Sequence, residues 1–223
     1  MARRKPAGRG PSNKSSRGTG PAPGHSESSS GELRIIGGDW RSRKLRFPGA
    51  GGVRPTPART RETLFNWLSF HLAGRDCLDL FAGSGALGLE ALSRGAANVT
   101  LVDHTPELAR ALRENLRLLK SDNGDVVCAG VDSYLGHRTR APFDIVFMDP
   151  PFRQGWLERL FRLLDEQEWI NPRGWVYVEH ESELTTPVPP ASWQLHRQKT
   201  AGQVTYCLFR VQADEQDANA PAT

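Results

Sequence analysis

Residues Phe143 to Phe152 read FDIVFMDPPF, an apolar run that ends in a carboxylate, two prolines and an aromatic ring. An amino group on a nucleobase is a poor nucleophile because its lone pair is delocalised into the ring. Two acceptors that take its two N–H hydrogens would orient the nitrogen and favour the pyramidal geometry of attack. The Asp149 carboxylate and the Pro150 carbonyl can be those acceptors. Pro150 and Pro151 stiffen the corner and remove competing backbone donors, and Phe152 offers a face on which an extruded base can stack. An ordinary turn followed by a core phenylalanine would look the same, so the choice depends on what stands upstream.

Upstream stands LDLFAGSGALG, in which Gly83, Gly85 and Gly88 satisfy G-x-G-x-x-G and Asp103 follows 20 residues after Gly83. The nominal match is to a dinucleotide fingerprint. Asp79, at the end of the preceding apolar stretch, argues against it, because a fixed carboxylate beside a pyrophosphate would set like charges together. It suits a cation instead. S-adenosylmethionine carries a sulfonium and an ammonium, so Asp79 can attract its amino-acid end, Gly83 and Gly85 admit close backbone approach, and Asp103 can accept the ribose hydroxyls. A nucleotide, or a glycine turn that merely packs a helix on a strand, are the alternatives.

These residues need strands that end on one rim. DCLDLF, NVTLVD, DVVCAG, DIVFMD and GWVYVEH read as strands. Helices are expected at GALGLEALSRG, from Thr105 with Leu108, Leu112, Leu116 and Leu119 on one stripe, near Ser133, and from about Gly155 to Glu168. WQLHRQK and VTYCLFRV, joined by TAGQ, form a terminal hairpin. The alternation predicts an α/β fold, mostly parallel with an antiparallel end, whose ligands sit at the carboxyl ends of the strands. Ahead of it, LRIIGGDWRSRKLRF predicts two short strands around a Gly37-Gly38 turn. RPTPARTRETLFNWLSFH predicts a helix capped by Thr56, with Leu64, Trp67, Leu68 and His71 on one face.

Residues 1–75 hold fifteen Lys and Arg against four Asp and Glu, whereas residues 76–223 hold fourteen against twenty-one. A basic front on an acidic body suggests a polyanion partner, gripped by Arg41, Arg43, Lys44 and Arg46 beside Trp40. Residues 1–30, rich in Gly, Pro and Ser, are expected to be a disordered basic tail and residues 213–223 a second, polar one. Residues 31–55 make the RNA-contacting hairpin and residues 56–212 the catalytic domain. No apolar run reaches the ~20 residues of a membrane span, so a soluble, cytoplasmic protein is expected. Cys77, Cys128 and Cys207 are odd in number and far apart, which predicts no disulfide and no metal site, with all three packed in strands.

DLFAGSGALGLEALSRGA together with IVFMDPPF resembles the class I methyltransferases that act on exocyclic amino groups. RIIGGDWRSRKL and RPTPARTRETLFNWL narrow the likeness, which runs from about Leu33 to Arg210, to the RsmD family of bacterial 16S ribosomal RNA guanine-N2 methyltransferases. The resemblance implies a seven-stranded Rossmann-like sheet, S-adenosylmethionine as donor, and a guanine near the P site of the small ribosomal subunit as target. The expected partner is 16S rRNA in an assembled or partly assembled subunit, and the enzyme a monomer. It also implies roles for Asp79, Ala82, Gly83, Ser84 and Gly85 in the cofactor loop, Asp103 at the ribose, and Asp149, Pro150, Pro151 and Phe152 around the base. One position departs. The polar residue that often meets the adenine amino group falls at Gly130; Asp132 either substitutes or caps the next helix, and the Val131 backbone can meet the adenine ring. The rivals are a DNA amino-methyltransferase, for whose extra recognition region the chain has no room, and a non-catalytic RNA-binding module.

Overall fold

A computed structural model describes residues 30–49, 55–136, 140–185 and 188–213. The two expected tails lie outside the described residues, apart from their innermost positions. The chain runs β1 (Gly31–Arg34), β2 (Lys44–Phe47), α1 (Ala58–Trp67), β3 (Asp76–Asp79), α2 (Gly88–Ser93), β4 (Asn98–Asp103), α3 (Pro106–Leu119) and β5 (Gly124–Cys128). It continues with α4 (Val131–Leu135), β6 (Phe143–Met148), α5 (Trp156–Glu166), β7 (Ile170–Glu181), β8 (Trp193–Ala201) and β9 (Val204–Val211).

β3 to β9 form one sheet in the order β5-β4-β3-β6-β7-β9-β8. β3 pairs in parallel with both β4 and β6, and β9 pairs antiparallel with β7 and β8. The chain leaves β3 toward one edge and returns through β6 toward the other, so the crevice for a ligand opens above β3. Along β6, Ile145 and Phe147 enter the core shared with α1, α2 and α3, while Val146 and Met148 enter the core shared with α4 and α5. A strand covered on both faces has to be apolar throughout, which is why DIVFM reads without polar alternation. Leu108, Leu112, Leu116 and Leu119 are all buried, as their spacing predicts.

The front end departs from expectation in three ways. The turn between β1 and β2 is not a tight Gly37-Gly38 corner; residues 35–43 form a longer connection that lies on α2. Ile36 and Gly37 donate their N–H groups to the Glu90 carboxylate at 2.9 and 2.8 Å, and Asp39 and Trp40 bond to Ser93. A Cβ on Gly38, at φ 72°, would run into the Ser93 carbonyl, so glycine is required by docking. The hairpin is also less separate than expected, because Leu33, Ile35, Leu45 and Phe47 join the main core. Thr56, finally, does not cap α1. Pro57 occupies the N-cap position without a side-chain bond, and the Thr56 hydroxyl is engaged elsewhere.

Arg61 fixes this arrangement from inside. Only 4% exposed, it donates to the Thr56 carbonyl at 3.1 Å, to the Arg34 carbonyl at 3.0 Å and to Glu90 at 3.2 Å. Glu90 is fully buried and also accepts from Arg94 at 2.7 Å. The carboxylate is thus surrounded by donors, the condition under which a buried charge is tolerated. Cys77 and Cys207 are buried in strands as expected, but Cys128 is exposed, because it ends the edge strand β5.

Candidate active site

Asp79 and Asp103 end the neighbouring strands β3 and β4, and the loop from Phe81 to Leu87 passes between them. Asp79 is 1% exposed and accepts the Gly88 N–H at 2.9 Å. Asp103 accepts the Gly83 N–H at 2.9 Å and the Thr105 N–H at 2.8 Å. Gly85, at φ 82°, turns the loop into α2, and a Cβ there would lie 2.6 Å from Leu89. Ala82 and Ser84 are buried, whereas Gly83 keeps partial exposure on the rim. The two carboxylates and the loop expected to act together are therefore adjacent.

Burial pushes Asp79 up to about 7, against the pull of the Gly88 N–H; the other charges acting on it, Asp149 and Asp103, are both negative. Asp149, just past β6, is likewise raised by burial, to about 6, and is held down by the Thr56 hydroxyl, which donates to its Oδ2 at 3.3 Å. Glu179 on β7 is raised well above the usual carboxylate range by burial and by the Asp149 charge. Tyr177 donates to Glu179 at 2.8 Å, and this bond and the nearby Thr56 hydroxyl pull in the opposite direction. Three carboxylates crowd one rim without a cation among the groups that act on Asp79, which prepares the site electrostatically for a cationic ligand.

Beyond Asp149, Pro150 is buried, Pro151 is exposed, and Phe152 is 37% exposed on the surface. Phe152 is thus not the core phenylalanine of an ordinary turn. Past it, Arg153 at φ 62° and Gly155 at φ 65° swing the chain into α5. On the other side of the crevice, Gly130 precedes α4 at the end of β5, and a Cβ built there meets nothing within 4 Å. Val131 beside it is buried. Asp132 does not cap α4, and it pairs with Arg159 on α5 at 2.9 Å. The four basic residues are all exposed. Arg43 donates to the Leu118 carbonyl at 3.1 Å, and Lys44 pairs with Glu32 at 2.9 Å. Leu118 lies in the last turn of α3, whereas Asp103 contacts the residue before its first turn. The Arg43 guanidinium is thus about 20 Å from Asp103 as measured along α3.

Sequence reasoning missed Thr56, Glu179, Tyr177 and Arg61. The pair Glu179-His180 at the end of GWVYVEH, polar residues closing an apolar strand, was the available signal. The part played by Thr56 was not readable, because its partner is 93 positions away.

A sheet with this strand order and a glycine loop between two strand-end aspartates defines a class I methyltransferase, and S-adenosylmethionine is its methyl donor. The chemistry of the residues present fits a cationic donor with a ribose and an adenine: a buried Asp79 with no cation beside it, a second carboxylate, Asp103, on the next strand, and open space at Gly130. The family model described as Conserved hypothetical protein 95 matches residues 33–210, and the chain belongs to this family, the RsmD family. It is 50% identical over 198 residues to Ribosomal RNA small subunit methyltransferase D of Escherichia coli strain K12, covering 88% of this chain and 98% of that one. To the enzyme of the same name from Haemophilus influenzae it is 43% identical, over 81% of this chain and 94% of that one. The solved structure of the methyltransferase yhhF from Escherichia coli superposes with a TM-score of 0.77 at 49% identity, covering 82% of this chain and all of the other.

Proposed function

We propose that this chain transfers a methyl group from S-adenosylmethionine to the exocyclic N2 of a guanine in 16S rRNA. The observation that carries the reading is the Asp149-Pro150 corner, placed beside the Asp79 carboxylate on the same rim and steadied by Thr56. The donor supplies, when bound, an electrophilic methyl carbon on a sulfonium. The chain supplies position. The Asp149 carboxylate and the Pro150 carbonyl accept the two hydrogens of the amino group, so that its lone pair points outward, away from the corner. Once the nitrogen has formed its new bond, one of those hydrogens is surplus, and the ionised Asp149 can take it as a proton. Phe152, exposed at the rim, would stack on the guanine ring.

In the same reading the substrate is an assembled or partly assembled small subunit, the enzyme works as a monomer in the cytoplasm, and residues 31–55 contact RNA beside a catalytic body of residues 56–212. Among the described residues no helix is long and apolar enough to cross a membrane. The experiment is methyl transfer from labelled S-adenosylmethionine to three acceptors at equal concentration: small subunits, protein-free 16S transcript and duplex DNA. Transfer is expected to be fastest on subunits. Equal rates on subunits and transcript would remove the ribosomal proteins from recognition, and transfer to DNA alone would overturn the assignment.

A further inference from the structure

The loop after β6 and the end of β7 enclose a cavity of about 300 Å³, lined on one side by Pro150, Pro151 and Trp156 and on the other by Glu179, His180 and Leu184. His180 is 1% exposed, yet its Nε2 has no hydrogen-bond partner. Its Nδ1 lies 2.9 Å from the Glu181 carbonyl oxygen. A carbonyl only accepts, so Nδ1 carries the hydrogen and Nε2 of the neutral ring presents a lone pair. Buried acceptors without a donor are rare in folded proteins. Nothing in the methyl-transfer chemistry derived above uses this one. Asp149 does not line the cavity, and its carboxylate turns instead to Thr56. The cavity therefore adjoins the catalytic corner through Pro150 without containing the Asp149 carboxylate.

Resting on the reading of the chain as an RNA base methyltransferase, we propose that this cavity takes the unpaired base adjacent to the target guanine, with His180 Nε2 accepting one of its N–H hydrogens. A loop that gives up a guanine to an active site loses the stacking of its neighbour, and splayed bases are what proteins read in single-stranded RNA, by flat side chains and edge hydrogen bonds. The cavity is lined by a flat side chain, Trp156, and by a ring with an unpartnered nitrogen, His180. The Trp156 indole is braced edge-on against Phe81, with centroids 5.6 Å apart, and its N–H is turned to Gln154. The rim disfavours anions, since Glu158 and Glu181 line it and the one cation there, Arg153, is drawn to Glu183 at 3.5 Å. A phosphate or carboxylate would be repelled, whereas a base edge brings N–H donors without charge.

The test uses the full chain and small subunits reconstituted with 16S RNA that is either native or abasic at the nucleotide on each side of the target in turn. With native RNA, His180→Leu is expected to raise KM about tenfold, the loss of one hydrogen bond. Its kcat should stay within about twofold of wild type and its affinity for S-adenosylmethionine should not change. His180→Gln, which can return an acceptor near the Nε2 position, should restore KM. For the wild-type protein one of the two abasic RNAs should show the same rise in KM, and on that RNA His180→Leu should add nothing. Equal penalties for His180→Leu on native and abasic RNA, or wild-type KM values indifferent to both abasic sites, would overturn the proposal. The abasic arm needs no variant to fold. A wild-type enzyme inactive on native subunits would instead refute the function proposed above.

Discussion

Replacing Thr56 by valine removes one hydroxyl and little volume at the point where the front of the chain meets the catalytic corner. The side chain is 5% exposed and donates to Asp149 at 3.3 Å, while Arg61 holds the Thr56 carbonyl at 3.1 Å. Hydrogen bonds to charged groups contribute about 1.5–3 kcal/mol. The long donor–acceptor distance places this one at the lower end, about 1.5 kcal/mol, or roughly a tenfold loss of kcat. The pH dependence gives a second, independent sign. Asp149 must be ionised to accept hydrogens, and burial already raises it to about 6 while the Thr56 hydroxyl lowers it. Asp79, Glu179 and Tyr177 surround the corner without supplying a positive charge. Without the hydroxyl the Asp149 pKa rises further, so the acidic limb of the rate profile should move to higher pH, and Thr56→Ser should return it. The assay is single-turnover methyl transfer to small subunits from pH 5 to 9, with cofactor affinity measured by calorimetry. A rate within about twofold of wild type and an unmoved acidic limb would show that Thr56 does not position Asp149.

Other perturbations separate the remaining parts. Asp79→Asn should weaken S-adenosylmethionine binding by calorimetry. Because the folded pKa of Asp79, about 7, lies above that of an unfolded aspartate, the native state binds the extra proton and stability falls as pH rises from about 4 to about 7. The drop in Tm between pH 5 and 8 should therefore be smaller in Asp79→Asn than in wild type, at roughly 2–4 °C per kcal/mol for a domain of this size. Arg61→Leu leaves Glu90 buried with fewer partners and should cost about 3–5 kcal/mol in chemical denaturation; a loss below 1 kcal/mol would show that the hairpin does not depend on this pair. Arg43→Glu with Lys44→Glu should slow methylation of subunits and flatten its salt dependence while cofactor affinity stays constant. An unchanged salt slope would remove the hairpin tip from the RNA contact.

Much of the sheet was legible because β3, β4, β6 and β7 are covered on both faces and read as apolar runs, and because strand-end aspartates at Asp79, Asp103 and Asp149 mark a common rim. Leucine spacing located α3 for a similarly local reason. What was not legible depends on contacts distant in sequence. Gly37 and Gly38 suggest a tight turn by their type, but their role is to fit against Ser93. Thr56 before Pro57 is a good capping pattern, yet its hydroxyl is taken by Asp149. Asp132 at the start of α4 has the type and place of a capping residue, yet its partner is Arg159 on α5. Cys128 has the apolar neighbours of a core residue and is exposed only because β5 is an edge.

The central claim is that the Asp149 corner delivers a guanine amino group to the methyl donor. Its most direct test is to incubate small subunits lacking the modification with labelled S-adenosylmethionine and either the wild-type chain or Asp149→Ala, digest the 16S rRNA to nucleosides, and identify the labelled product. Wild type is expected to yield N2-methylguanosine at a single position, and Asp149→Ala none, although it binds the cofactor normally. Label on another nucleoside, or equal N2-methylguanosine from both proteins, would contradict it.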